Sequence, residues 1–498
     1  MSAIITEKFR QHNADQFVES FTEAAASTYY LFLGKATGFT SSTTGGTDSS
    51  PPTPADSIKD EAFAWDSMLG AKLISSSDIQ YSIPRRNWAN STIYDMYEHD
   101  ISASNTTTSG ASNLYDSTFY FMTSDFRVYK VLDNNGGTAY DGAEPTSESN
   151  SPFTLGGYIL KYMYTISTSD FAKYGTSDFI PVTTNSTVSG AATDGSIESL
   201  IVTGGSGYTD GTYYAAVHGD GTSQGTSSGA VVRITVSGGA IADFGLSAGT
   251  DTTINTAGAG YTFGYVNVAD AFTFGEAGLT TPSSMGSGSG GAISVITSPK
   301  GGHGFDAVGE LGGHYVMAAV TLTQAEGDDF TTSNDFRSVG LVVDPTNFGT
   351  TTVATATTAR QTYVVRLDTN SGSFDADEVI TQASTGAVGK VVEWDNTLSL
   401  LYYQQESYKG FGTSATTGGY VAFSGTNTIT GGTSGVTGTS AGTSETLTLL
   451  NNNEITLVSG YATPELAADS GNIIYLENRK PIQRASDQTE DIKIIIEF

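Results

Sequence analysis

The sequence predicts a mainly β protein with an α+β core, a β-sandwich carrying a few short helices and two inserted small β-domains. Three observations predict it. Aromatic and aliphatic runs alternate with polar residues at the two-residue period of a strand, whereas helical spacing recurs at few places. The 59 glycines exceed the usual share and gather in two Gly/Ser/Thr-rich blocks. The 24 Phe and 26 Tyr supply core material that a disordered chain of similar polarity would lack.

In chain order, Phe17, Val18 and Phe21 fall on one helix face, so a short helix is expected after Asn13. Thr28 to Gly34 reads as a buried strand, and Gly38 to Pro54 as a loop. Ser57 and Asp60 form a capping-box-like start for a helix whose face carries Ile58, Ala62, Trp65 and Leu69. Thr118 to Leu132 reads as a hairpin around a Ser-Asp turn, and Leu155 to Thr165 as a further strand of its sheet. At the far end, Ile492, Ile494, Ile496 and Phe498 face one way from a final strand, and Lys493 and Glu497 the other.

Each glycine-rich block echoes itself. Ile201 to Tyr213 (IVTGGSGYTDGTY) resembles Ile254 to Tyr265 (INTAGAGYTFGY), with Tyr208 and Tyr261 in matching places. This suggests one β-hairpin unit used twice, with a positive-φ glycine beside each tyrosine. Glu378 to Val388 is likewise similar to Thr428 to Val436. The expected organisation is a discontinuous core of residues 1–185, 298–367 and 451–498, interrupted by β-insertions at 186–297 and 368–450.

Composition excludes several functions. With 22 Lys plus Arg against 52 acids the net charge is −30, which repels phosphate backbones, so no nucleic-acid partner is expected. The absence of cysteine removes disulfides, thiolate metal sites and cysteine nucleophiles. No run approaches the roughly 18 apolar residues of a membrane span, so no membrane insertion is expected. Glu7 and Lys8 stand where a signal peptide would be apolar, which predicts no export by that route.

Three segments carry a resemblance to a known family. Ile474 to Ile492 (IYLENRKPIQRASDQTEDI) and Ile83 to Trp88 (IPRRNW) are similar to motifs of the baseplate wedge subunit of T-even-type contractile-tailed phages, the gene-product-eight family. The third is the N-terminal order of Thr6 to Phe9 (TEKF), a short helix, a strand ending Phe32-Leu33-Gly34 and a Trp-bearing helix at Trp65. A fourth, Phe336 to Pro345 (FRSVGLVVDP), looks like the family's apolar strand ending in a proline turn. The resemblance covers the core and neither insertion.

It implies a structural virion protein that is not an enzyme and uses no cofactor. Such a subunit forms a homodimer, contacts other wedge subunits of the tail baseplate, and takes part in the rearrangement that releases sheath contraction. Assembly in the host cytoplasm fits the missing cysteines. The alternative is a tail-fibre or adhesin-type protein that holds host glycan through its insertions, although neither a repetitive shaft nor a trimerising end is visible. A depolymerase would need two carboxylates at a set separation, which a sequence does not reveal.

In a chain so poor in cations, Arg85 and Arg86 beside Trp88 stand out. So do Arg479 and Arg484, within a segment that also holds Glu477, Asn478, Asp487 and Glu490. These nine residues are the candidate subunit interface, because arginine pairs with carboxylates in a bidentate geometry that lysine cannot reproduce. The competing reading is intramolecular pairing that ties the Ile83 to Trp88 turn to the core.

Sharper chemical motifs are outweighed. Gly286, Gly288 and Gly291 satisfy a dinucleotide fingerprint but lack the strand and helix it needs. Ser223, Ser227 and Ser440 lie in Gly-x-Ser-x-Gly without a strand-to-helix elbow. The run Gly301 to Gly309 (GGHGFDAVG) matches a calcium-binding nonapeptide, but one copy cannot build a site shared between stacked turns. His303, Glu310 and His314 lack the spacing of a zinc helix. A glycine-rich turn leading to a strand at Tyr315 to Leu322 is therefore expected, and no metal.

Overall fold

A computed structural model describes all residues except 1–5, 40–44, 227, 272–284, 324–328, 333, 407–419, 450–451 and 486. The protein is mainly β, with a few short helices. The chain divides into two discontinuous units. The first comprises residues 1–16, 80–317 and 495–498, and the second 17–79 and 318–494.

In the first unit, the hairpin at Thr118 to Leu132 is present as Tyr120–Met122 paired with Arg127–Asp133, with Phe126 at φ 61° closing the turn. The Tyr158–Thr165 strand joins the same sheet, as expected. Phe121, Tyr129, Tyr140, Tyr158 and Tyr162 fill one core on it.

A separate sheet runs in the order 240–241, 231–237, 211–219, 264–266, 292–297, 197–203. Its first and last strands in sequence, Ile197–Thr203 and Ala292–Thr297, pair with each other. The chain therefore enters and leaves this sheet on adjacent strands.

The two Gly-Tyr echoes are structural equivalents but not hairpins. Ile197–Thr203 pairs with Ala292–Thr297, and Thr253–Thr256 with Val231–Ser237, so each Gly-Tyr segment links strands that are not neighbours. Gly205 and Gly258 both have φ 63°, and Gly207 and Gly260 have φ 77° and 74°. A Cβ on Gly205 would lie 2.4 Å from the amide nitrogen of Gly291, and one on Gly258 2.8 Å from that of Ala230. The same approach brings each tyrosine hydroxyl to an amide, Tyr208 to Gly291 at 3.0 Å and Tyr261 to Ala230 at 3.1 Å. Each ring thus pins a crossing loop to the start of a core strand, a role that periodicity alone does not distinguish from a turn.

In the second unit, a five-stranded sheet runs 358–360, 68–74, 29–34, 335–343, 472–483. Tyr29–Gly34 is buried throughout because it lies between Met68–Ile74 and Asp335–Val343. The helix beside it spans Ile58–Ser67, and the Ser57 side chain accepts from the amide of Asp60 at 3.2 Å. The Asp60 carboxylate accepts instead from Ala55, so the expected reciprocal box is not closed. Trp65 faces the core, but Ile58 is 80% exposed and Leu69 already belongs to the next strand. The apolar spacing read as one helix face therefore spans a helix and a strand. The N-terminal helix also differs, beginning at Glu7 and ending at Glu19.

The second glycine-rich stretch closes on itself. Strands 400–404, 387–395, 379–382, 428–431, 437–440 and 363–370 pair in that order, and the last returns to the first. Closure removes free edges, and Val365, Leu367, Ile380, Val391, Leu401, Tyr403 and Ile429 fill the interior. Here the echo does consist of two hairpins. The barrel starts at Tyr363, a few residues before the shift in composition.

Candidate functional site

The nine residues singled out for an interface are spread over both units. In the first, the Arg86–Trp88 turn lies along the Tyr120–Met122 strand, since Trp88 donates to the Met122 carbonyl and Met122 to that of Arg86. Arg86 donates to the Tyr115 carbonyl at 2.7 Å, and its guanidinium lies 4.3 Å from the centre of the Tyr120 ring. Arg85 donates to the Thr176 carbonyl at 2.9 Å and lies over Phe171. Trp88 meets Tyr140 edge to face.

In the second unit, Arg484 is 2% exposed and donates to Glu490 at 2.9 Å and to the Phe330 and Thr323 carbonyls. Each of its three guanidinium nitrogens donates within the unit. Asn478 accepts from Ser338 and donates to the Pro52 carbonyl. Arg479 is exposed and reaches only the nearby Glu477 among the described residues, at 3.0 Å, while Asp487 is exposed.

A polar cluster that no spacing announces lies inside the first unit. Lys130 sits mid-strand with no exposed side-chain surface. Its ammonium donates to Glu310 at 2.8 Å, contacts Nδ1 of His303 at 2.9 Å, and lies 3.9 Å from the centre of the Tyr97 ring. The other Glu310 oxygen accepts from the amides of Gly304 and Asp306 at 2.7 and 3.3 Å. Burial pushes Glu310 up and Lys130 down, each opposed by the other's charge. Burial, then the charge of Lys130, holds His303 well below its usual range and therefore neutral.

The arrangement clamps the Gly301–Gly309 loop to the sheet. Asp306, which the nonapeptide pattern would give to calcium, instead caps the short helix Ala307–Leu311 through the amide of Gly309. Among the described residues no three metal-ligating side chains converge. The hint in the sequence was a lysine amid the apolar interior of the RVYKVLD strand, but its hydrogen-bond partners lie more than 170 positions away.

Glu378 plays a similar part in the barrel. Burial raises it, but the amides of Ser434, Thr433 and Asp375 and the Ser434 hydroxyl outweigh burial and hold the carboxyl below its usual range. One hairpin of the echo thus holds the turn of the other.

Within the first unit the two ends of the chain meet. Arg10 pairs with Glu497 at 2.7 Å, and the Phe498 amide donates to the carbonyl of His314, whose ring lies 3.5 Å from Glu7. In the second unit, Tyr29–Gly34 and Asn472–Gln483 flank the same Asp335–Val343 strand.

The buried charges of Lys130, Glu310, Glu378 and Arg484 thus fasten loops and strands within each unit. Residues 3–150 and 451–498 match the family model described as Phage-Gp8: Bacteriophage T4, Gp8, and through these two stretches the chain is similar to that family. The family is one of structural phage baseplate proteins, and the match supports a structural baseplate role for this chain. Three of the four resembling segments lie within the match, whereas Phe336 to Pro345 and everything else in 151–450 lie outside it. No curated protein matches the chain.

Proposed function

We infer that the protein is a baseplate wedge subunit that forms a homodimer, bridges neighbouring wedge proteins and takes part in the rearrangement that triggers sheath contraction. The observation that carries this reading is the meeting of the two family-matched ends, in a fold whose buried charges fasten structure. The blocks at 186–297 and 368–450 are peripheral additions to that core. Adjacent entry and exit strands support this for the first block, and barrel closure for the second.

Arg479 and Asp487, both exposed, are the first interface candidates in the second unit, with Glu477, Asn478, Arg484 and Glu490 as the others there, and Arg85, Arg86 and Trp88 are the candidates in the first. The work is contact between proteins, without catalysis or cofactor. Equilibrium sedimentation of the purified 51.9 kDa chain should give twice the monomer mass, and a monomer at micromolar concentration would remove the dimer from the account.

A second reading, adhesion to host glycan, draws on Phe263 and Tyr265, which are exposed on the first inserted sheet with Tyr265 stacked on His218. Binding of the purified chain to immobilised host polysaccharide, lost in Tyr265→Ala, would favour it.

A further inference from the structure

Asn472–Gln483 is the terminal strand of the five-stranded sheet. Alternate amides and carbonyls of such a strand point away from its one neighbour and can pair with another chain. A groove of about 380 Å³ lies beside it, with Ile473 to Leu476 on one side and Pro54, Asp56 and Glu61 on the other. Ile474 is 46% exposed.

These features specify an occupant. An open strand edge recognises an extended chain, and neighbouring pockets select alternate side chains. The apolar surface of Ile474 and Pro54 suits an aliphatic residue, and Asp56 and Glu61 suit a cation one or two positions away. The −30 net charge steers a basic segment towards the molecule. A second copy fits poorly, because it brings the same negative charge and its own sheet would have to pass the Pro54–Glu61 wall. The register with Asp335–Val343 shifts once at Ile474 and again beyond Asn478, where Pro481 also interrupts the ladder, which limits the usable edge to 472–478.

We propose that this groove takes an extended, lysine- or arginine-bearing segment of a different tail protein as an added strand. The proposal rests on the baseplate reading, since a neighbouring subunit supplies the segment.

The test places the photo-reactive amino acid p-benzoylphenylalanine at position 474 of the full chain, assembles it into tail particles and maps the crosslinks by mass spectrometry. The expected product joins position 474 to one peptide of another tail protein, with Lys or Arg within two residues of the crosslink. Reversing the wall with Asp56→Lys and Glu61→Lys should cut its yield at least tenfold in chains whose melting is unchanged. If the reversal disturbs folding, the mapped peptide decides alone. Crosslinks to a second copy, to a peptide without a cation, or none from particles that contain the chain would overturn the groove proposal and leave the baseplate reading standing. Particles that lack the chain would instead overturn the baseplate reading and the proposal with it.

Discussion

Replacing His303 by glutamine tests the buried cluster, because glutamine can still accept from Lys130 but does not titrate. In the native protein His303 stays neutral well below its ordinary pKa of about 6.5. A depressed histidine contributes stability that is present above the unfolded pKa and is lost as pH falls through 6.5 towards the folded value. Integrating that linkage from pH 7.5 to 5.0 sets a ceiling on the loss of about 2 kcal/mol, or roughly 30-fold in the opening equilibrium.

The Lys130–Glu310 pair is kept in His303→Gln, so the difference between the two proteins isolates the histidine. Hydrogen exchange of peptides covering 127–133 and 301–311, corrected for intrinsic rates, reads the opening free energy directly. The wild-type chain should lose up to about 30-fold in protection between the two pH values, and His303→Gln should lose far less. Parallel losses in the two proteins would refute the reasoning.

Lys130→Met alone strands a buried carboxylate and should destabilise the first unit by about 3–5 kcal/mol, whereas adding Glu310→Gln should recover much of that in thermal melts. Tyr261→Phe leaves the buried Ala230 amide without its partner and should cost about 1–3 kcal/mol by denaturant unfolding. Tyr208→Phe, at the matching but less buried position, should cost less. Arg484→Ala should lower the melting temperature steeply, since three hydrogen-bond acceptors lose their donor. Arg479→Ala should leave melting within about 1 °C, as for an exposed pair worth under about 1 kcal/mol, while reducing assembly with wedge partners.

Local signals made much of the fold legible. Tyr29–Gly34 reads as a buried strand because its side chains are apolar on both faces, and Tyr120–Met122 with Arg127–Asp133 reads as a hairpin because its turn is close in sequence. Where the reading failed, a local signal had two outcomes. Ile58, Ala62, Trp65 and Leu69 keep helical spacing across the end of a helix, and the Gly-Tyr segments carry turn chemistry while crossing between non-adjacent strands.

The site was less legible than the fold. Lys130, His303, Glu310 and Tyr97 come from separate elements and meet only through tertiary packing, so no spacing could join them. The arginines were conspicuous in sequence, but burial separates Arg484, whose donors are used internally, from Arg479, which faces solvent. That distinction depends on the packing of Arg484 against Phe330, Thr323 and Glu490, and composition does not record it.

The central claim is that this chain is built into the tail baseplate. A cryo-electron microscopic reconstruction of contractile tails from the phage that encodes it tests this most directly. The account predicts baseplate density that fits the five-stranded sheet, with the 363–440 barrel attached and Asn472–Gln483 against a neighbouring subunit. A baseplate complete without this chain, or density for it only in fibres away from the wedges, would contradict the account.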